Sequence, residues 1–136
     1  MNKTKSDKYW DRANRAMSKY LNKRTWSELC NRWFDSKVEA QRGEELWLLH
    51  QQGEIQGLQY QVRIILSSKP RVSITLDYAY LERIHNSWYM IYEDAKGIDK
   101  TGKPIIRPDF RVKLAWLKQL YGIDVLITDY GYITRQ

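Results

Sequence analysis

The chain has little of what many enzyme chemistries leave in a sequence. A single cysteine, Cys30, excludes an internal disulfide and a multi-cysteine zinc site, and makes a reducing interior the simple assumption. The two histidines, His50 and His85, stand alone, with no Cys/His spacing of the kind that builds a structural zinc site. Seven glycines are scattered without forming a phosphate-cradling loop of the nucleotide-binding type. No apolar run approaches the ~20 residues that span a bilayer, and the basic, polar N-terminus lacks the apolar core of a signal peptide. There is no internal repeat and no low-complexity tract. These absences set aside disulfide scaffolds, zinc modules, P-loop enzymes and membrane-spanning proteins, and the expected location is the cytoplasm.

What is present is a chain of 136 residues, one domain by length, with six Trp and ten Tyr, many for this size. The net charge of +7 is unevenly placed: residues 1–42 carry eleven Lys/Arg against five Asp/Glu, and the remainder twelve against eleven. A basic arm on a nearly neutral body suits a polyanion, nucleic acid first, although a solvated terminus has the same composition.

Periodicity gives the elements. From Ser6 to about Leu21, Tyr9, Trp10, Ala13, Met17, Tyr20 and Leu21 recur at helical spacing, with Lys8, Arg12, Arg15 and Lys19 on the other side. That basic stripe can ride on a phosphate backbone or face water, and Trp10 and Tyr20 can equally serve a dimer contact. Trp26 to Phe34 reads as a short apolar segment with room for one helical turn. Ser36-x-x-Glu39 is a capping box and Gly53 a stop, so a helix is expected from about Lys37 to Gln52, burying Val38, Leu46, Leu49 and either Trp47 or Leu48. Leu58 to Leu66 alternates as a half-buried strand. Val72–Leu81 and Ser87–Gly97 read as two further strands around a polar turn at 82–87. A loop over 97–109 carries Lys100, Lys103 and Arg107, candidates to face DNA. Asp109 is the expected N-cap of a helix to Tyr121, with Phe110, Leu114, Leu117 and Tyr121 on one face and Gly122 ending it. Val125–Ile127 follows as a short strand, parallel to its neighbour because a helix crosses over between them. The order helix, three strands, helix, strand predicts an α/β sandwich with a mixed sheet.

Within that order the charges at the centre stand out. Asp77 interrupts an apolar run, and Asp94 and Lys96 close the next strand two residues apart. Alternation puts Asp94 and Lys96 on one face and Glu93 on the other, unless a bulge exchanges the two acids. An antiparallel partner can bring Asp77 alongside, and two carboxylates with an ammonium suit a divalent metal holding a water. The plainer alternative is an exposed Asp77 and a surface Asp94–Lys96 ion pair.

A lone acid followed by acid-x-Lys at the end of the next strand resembles the PD-(D/E)XK nuclease superfamily. Five blocks in order, Trp33–Ala40, Gly53–Leu58, Ile74–Tyr78, Tyr92–Gly97 and Phe110–Leu114, resemble a family of small phage and prophage proteins of unknown function assigned to that superfamily. The resemblance implies a restriction-endonuclease-like core over residues 33–136, a mixed four-stranded sheet flanked by helices, with residues 1–32 as an added basic helical arm. It also implies a catalytic or metal-linked role for Glu39, which by its spacing alone would only cap Ser36.

The chemistry expected on this basis is phosphodiester hydrolysis with Mg²⁺, Mn²⁺ substituting. Asp77, Asp94 and the Ala95 carbonyl would be ligands, Lys96 would hold or help deprotonate the attacking water, and Glu39 would bind a second ion or orient its water. Lys113 can face the scissile phosphate or solvent. The leading expectation is a DNA endonuclease of phage or mobile-element type, structure-selective, junction-resolving and homodimeric. A site-specific nicking or homing-type nuclease, an RNA-directed nuclease and a non-catalytic DNA-binding protein are the alternatives.

Overall fold

The computed structural model describes residues 23–129. The expected basic helix with Lys8, Arg12, Arg15 and Lys19 lies outside the described residues. The first elements are not a helical turn but a small hairpin: β1 (Thr25–Ser27) pairs antiparallel with β2 (Arg32–Phe34). Trp26 and Trp33 stand directly opposite and meet edge to face at 5.4 Å. Asn31, in the left-handed region, helps turn the chain between them. The apolar count of this stretch leaves room for one helical turn, but cross-strand aromatic pairing decides the outcome. Ser27 is buried and donates to Glu44 on the following helix, which fastens the hairpin to that helix.

Helix α1 (Lys37–Gln51) starts where the capping signal puts it, with the Ser36 hydroxyl accepting from the Glu39 N–H at 3.1 Å. It buries Val38, Ala40, Gly43 and Leu46, while Leu48 is exposed and Leu49 half-buried. Strand β3 (Ile55–Ser68) runs into β4 (Arg71–Ile84), and β4 into β5 (Ser87–Lys96). The turn between β4 and β5 is tighter than the polar run 82–87 suggests. His85 and Asn86 both take positive φ, a two-residue turn that lets pairing begin at Ile84 and Ser87. Helix α2 (Pro108–Tyr121) has Arg107, not Asp109, at its N-cap; no side chain caps it, and Pro108 fills the first turn, where a missing N–H is harmless. Gly122 ends it in the left-handed region, and β6 (Val125–Asp129) then pairs parallel with β5.

The result is an α/β architecture with a mixed four-stranded sheet in the order β3-β4-β5-β6. Helix α1 packs with Phe34, Ile55, Tyr78, Tyr80 and Ala95, whereas Leu117 of α2 packs with Leu66, Ile74 and Leu76. Leu76 to Tyr80 are buried one after another, so β4 is covered on both faces there. No helix among the described residues is long and apolar enough to cross a membrane.

One position tests the α1 packing. A Cβ added at Gly43 would sit 2.6 Å from the Phe34 ring, which is itself buried and edge-on to Tyr60. Helix propensity alone favours Gly43→Ala by about 1 kcal/mol. Overpacking works against it by about 1–3 kcal/mol. Gly43→Ala is therefore expected to lower stability in urea denaturation; a stabilised variant would show that the ring yields freely.

Candidate functional site

The sheet divides at one point. From Ile84/Ser87 to Tyr78/Glu93, β4 and β5 are paired. Beyond that, β4 continues toward Arg71 beside β3, and β5 continues to Lys96 beside β6. Asp77 and Asp94 are the first residues past the split, and Lys96 lies two further along.

The two acids bind each other's strands. Asp77 Oδ2 accepts the Ala95 N–H at 2.8 Å, and Asp94 Oδ1 accepts the Asp77 N–H at 3.1 Å. Asp94 Oδ2 stands 2.7 Å from Lys96 Nζ and has no other partner. The ammonium lies 4.0 Å from the centre of the Phe110 ring at the start of α2, a cation–π contact that fixes it from the other side. Asp94 and Lys96 thus share a face, as alternation requires. Glu93 is turned to the α1 face, where Arg42 donates to it twice, at 2.7 and 3.0 Å, and the Tyr80 hydroxyl once, at 2.6 Å.

Glu39 comes in from the first turn of α1. The Tyr78 hydroxyl donates to its backbone carbonyl and so ties that turn to β4 beside Asp77. Its carboxylate lies near Asp35 and Asp94, and Oε2 is buried without a partner. The capping bond is the one its N–H donates to Ser36 Oγ, and this leaves the side chain free to lie near the acids.

Burial pushes the Asp77 carboxyl up to about 9, with the charges of Asp94 and Glu39 adding to it. Burial also pushes Glu39 up to about 7, helped by Asp35 and Asp94. Asp94 is raised by burial as well, and the Lys96 ion pair opposes that shift. One ammonium thus faces three mutually repelling carboxyls, whose protons leave in steps that belong to the group.

Compared with protein-family models, curated proteins and solved structures, the chain matches none. Nor do any three His, Cys, Asp or Glu side chains among the described residues stand as a ready metal-holding group. Asp77 faces the Ala95 N–H and Asp94 faces Lys96. For Ala95, the contact on view is this N–H rather than its carbonyl.

The other expected residues are dispersed. Lys100 and Lys103 are exposed on the loop, which Asp99 braces through hydrogen bonds to Thr101 and Lys103. Arg107 is exposed and paired with Asp109 at 3.4 Å, and Lys113 is half-buried on α2. Sequence reading missed three supporting residues. Arg42 carried a signal, because it falls four residues after Val38 and four before Leu46, on the buried stripe. Phe110 and Tyr78 carried none beyond being apolar core candidates.

Two outcomes follow. A carboxyl whose folded value lies above its unfolded one keeps a proton that the unfolded chain has released. Stability contributed by such a group is therefore full below the unfolded value near 4 and falls as pH rises toward about 7 to 9. With a chelator present, Asp77→Asn should flatten that decline and raise Tm at pH 8 by on the order of 5 °C, read by calorimetry from pH 5 to 9. A lower Tm at pH 8 would contradict it. Arg42→Met, by contrast, strands the buried Glu93 charge and should cost about 3–5 kcal/mol in denaturant unfolding.

Proposed function

We propose that the chain is a metal-dependent DNA endonuclease, structure-selective and of phage or mobile-element type, built on a restriction-endonuclease-like core. The observation that carries this reading is the strand fork, where Asp77, Asp94 and Lys96 converge beside the partnerless Glu39 carboxylate oxygen. Burying three acids against one lysine destabilises the fold, and a divalent cation is the natural counter-charge. The donors are all oxygen, which suits Mg²⁺, with Mn²⁺ substituting. Asp77, Asp94 and Glu39, together with the Ala95 carbonyl, would hold it. When bound, the ion supplies a water acidic enough to attack and a positive charge for the phosphate oxygens.

The chain's own residues account for the rest. Lys96, steered by Asp94 and Phe110, offers a fixed ammonium to the attacking water and to charge growing on the phosphate. The Tyr78 contact holds the first turn of α1, and with it Glu39, against the fork. Exposed Lys100, Lys103 and Arg107 give a loop next to β5 that can meet a phosphate backbone, a contact that reads shape rather than bases. A small body with no separate reading element among the described residues favours recognition of a branched or distorted DNA, such as a four-way junction. The lysine is the observation that separates this reading from a DNA-binding protein without catalysis, because binding backbone phosphate gives no reason to hold an ammonium within a buried acid cluster.

The test incubates a four-way junction and a supercoiled plasmid with Mg²⁺ and the full chain. Wild type should cut the junction, and Asp77→Asn and Lys96→Met should each lower the rate by about 10²- to 10⁴-fold while still binding DNA. Intact DNA in every lane, with binding retained, would reject catalysis; a single nick in the plasmid would favour the site-specific alternative.

A further inference from the structure

Strand β5 has two different stretches along its outer edge. From Tyr92 to Lys96 it is covered by β6. From Ser87 to Ile91, among the described residues, only β4 pairs with it, and on the other side. Three consecutive large side chains are exposed on this open stretch, Trp88 at 38%, Tyr89 at 52% and Met90 at 50%. Ser87–Ile91 contains no charged residue and no proline, the usual devices that keep a sheet edge from pairing. The opposite edge of the sheet, β3, is interrupted by two register shifts and a left-handed Gln61, and carries Arg63.

The hydrogen-bonding phase of the open stretch follows from its turn. With a two-residue turn at His85–Asn86, Ile84 and Ser87 form the first bonded pair, and bonded and non-bonded pairs alternate from there. Ser87, Tyr89 and Ile91 therefore bond to β4, while Trp88 and Met90 direct their N–H and C=O groups outward. A second copy laid antiparallel, with Tyr89 opposite Tyr89, sets each Trp88 against Met90 of the other copy in a bonded pair. That exchange satisfies all the outward groups at once, with roughly four backbone hydrogen bonds. It also pairs indole with thioether and phenol with phenol across the strands. The stretch ends at the turn on one side and at the start of β6 on the other, so it accepts a strand of its own length.

We propose that the outer edge of Ser87–Ile91 is a homodimer interface that joins two sheets into one. Its consequence for function rests on the endonuclease reading. The two-fold axis stands normal to the sheet, so both forks open on the same side. Their Asp94 residues are ten strand positions apart, roughly 34 Å before twist. One dimer then offers a site to each of two strands of a single DNA.

Sedimentation equilibrium of the full chain, without DNA or metal, tests the interface independently of any cleavage. Wild type should be a dimer at micromolar concentration and above. Met90→Pro removes an outward N–H and leaves the β4 pairing intact, so it should weaken dimerisation by about 100-fold with an unchanged circular dichroism spectrum. Trp88→Lys, which keeps the backbone, should do the same if the proline variant fails to fold. A wild type that stays monomeric throughout would overturn the proposal, as would a dimer insensitive to both variants. Slow amide exchange at Trp88 and Met90 in a monomer would assign the edge to another segment of the chain and overturn it as well.

Discussion

The candidate site depends on a reciprocal pair of hydrogen bonds across a split in the sheet. Where two strands stop pairing, the N–H groups at the split still need acceptors. At this fork the acceptors are carboxylates: Asp77 takes the Ala95 N–H and Asp94 takes the Asp77 N–H. The strands can part without leaving bare amides, and two acids are drawn into a nearly dry interior. The geometry that opens the sheet is thus the same geometry that concentrates negative charge.

Adjacent positions on β5 show two ways of burying an acid. Glu93 is wholly buried and met by a forked guanidinium and a phenol, the satisfied arrangement that a protein interior tolerates. Asp94, one residue on and nearly as buried, has a single lysine for an ion pair, and its charge raises the neighbouring Asp77 and Glu39 carboxyls. If both acids served only to hold the fold, the second arrangement would be a poor choice. The contrast is what makes Asp94 a functional candidate and Glu93 a structural one, although both lie in the same Glu-Asp-Ala-Lys stretch.

Much of the fold was legible because its signals are local. The capping box at Ser36, the stops at Gly53 and Gly122, and the alternation in β3 each depend on near neighbours. The parallel placement of β6 followed from chain connectivity. Misreadings came where a distant partner or a fine conformational preference decides. The Trp26–Phe34 stretch became a hairpin because two indoles meet across it, and the β4–β5 turn shrank because His85 and Asn86 adopt positive φ. In the site, the shared face of Asp94 and Lys96 follows from strand period alone. The approach of Asp77 does not, since it comes from the parting of the strands and not from a register pair. The ring of Phe110 over Lys96, contributed from across the loop, had no trace in the spacing.

The split of the sheet also explains how one short strand can serve two ends. β5 is ten residues long, and its two ends differ in what lies on their outer side. Toward Lys96, β6 and α2 enclose it, which is what allows charges there to be buried and to perturb one another. Toward Ser87 the strand has no outer neighbour among the described residues, and Trp88, Tyr89 and Met90 are exposed. A site that needs desolvated acids cannot sit on an open edge, because water would screen the repulsion and fill the acceptors. A stretch that pairs with a second copy, as proposed above, cannot be capped by β6. Because β6 starts opposite Tyr92, the buried end and the open end fall within one element, and the spacing between them is a property of the strand itself.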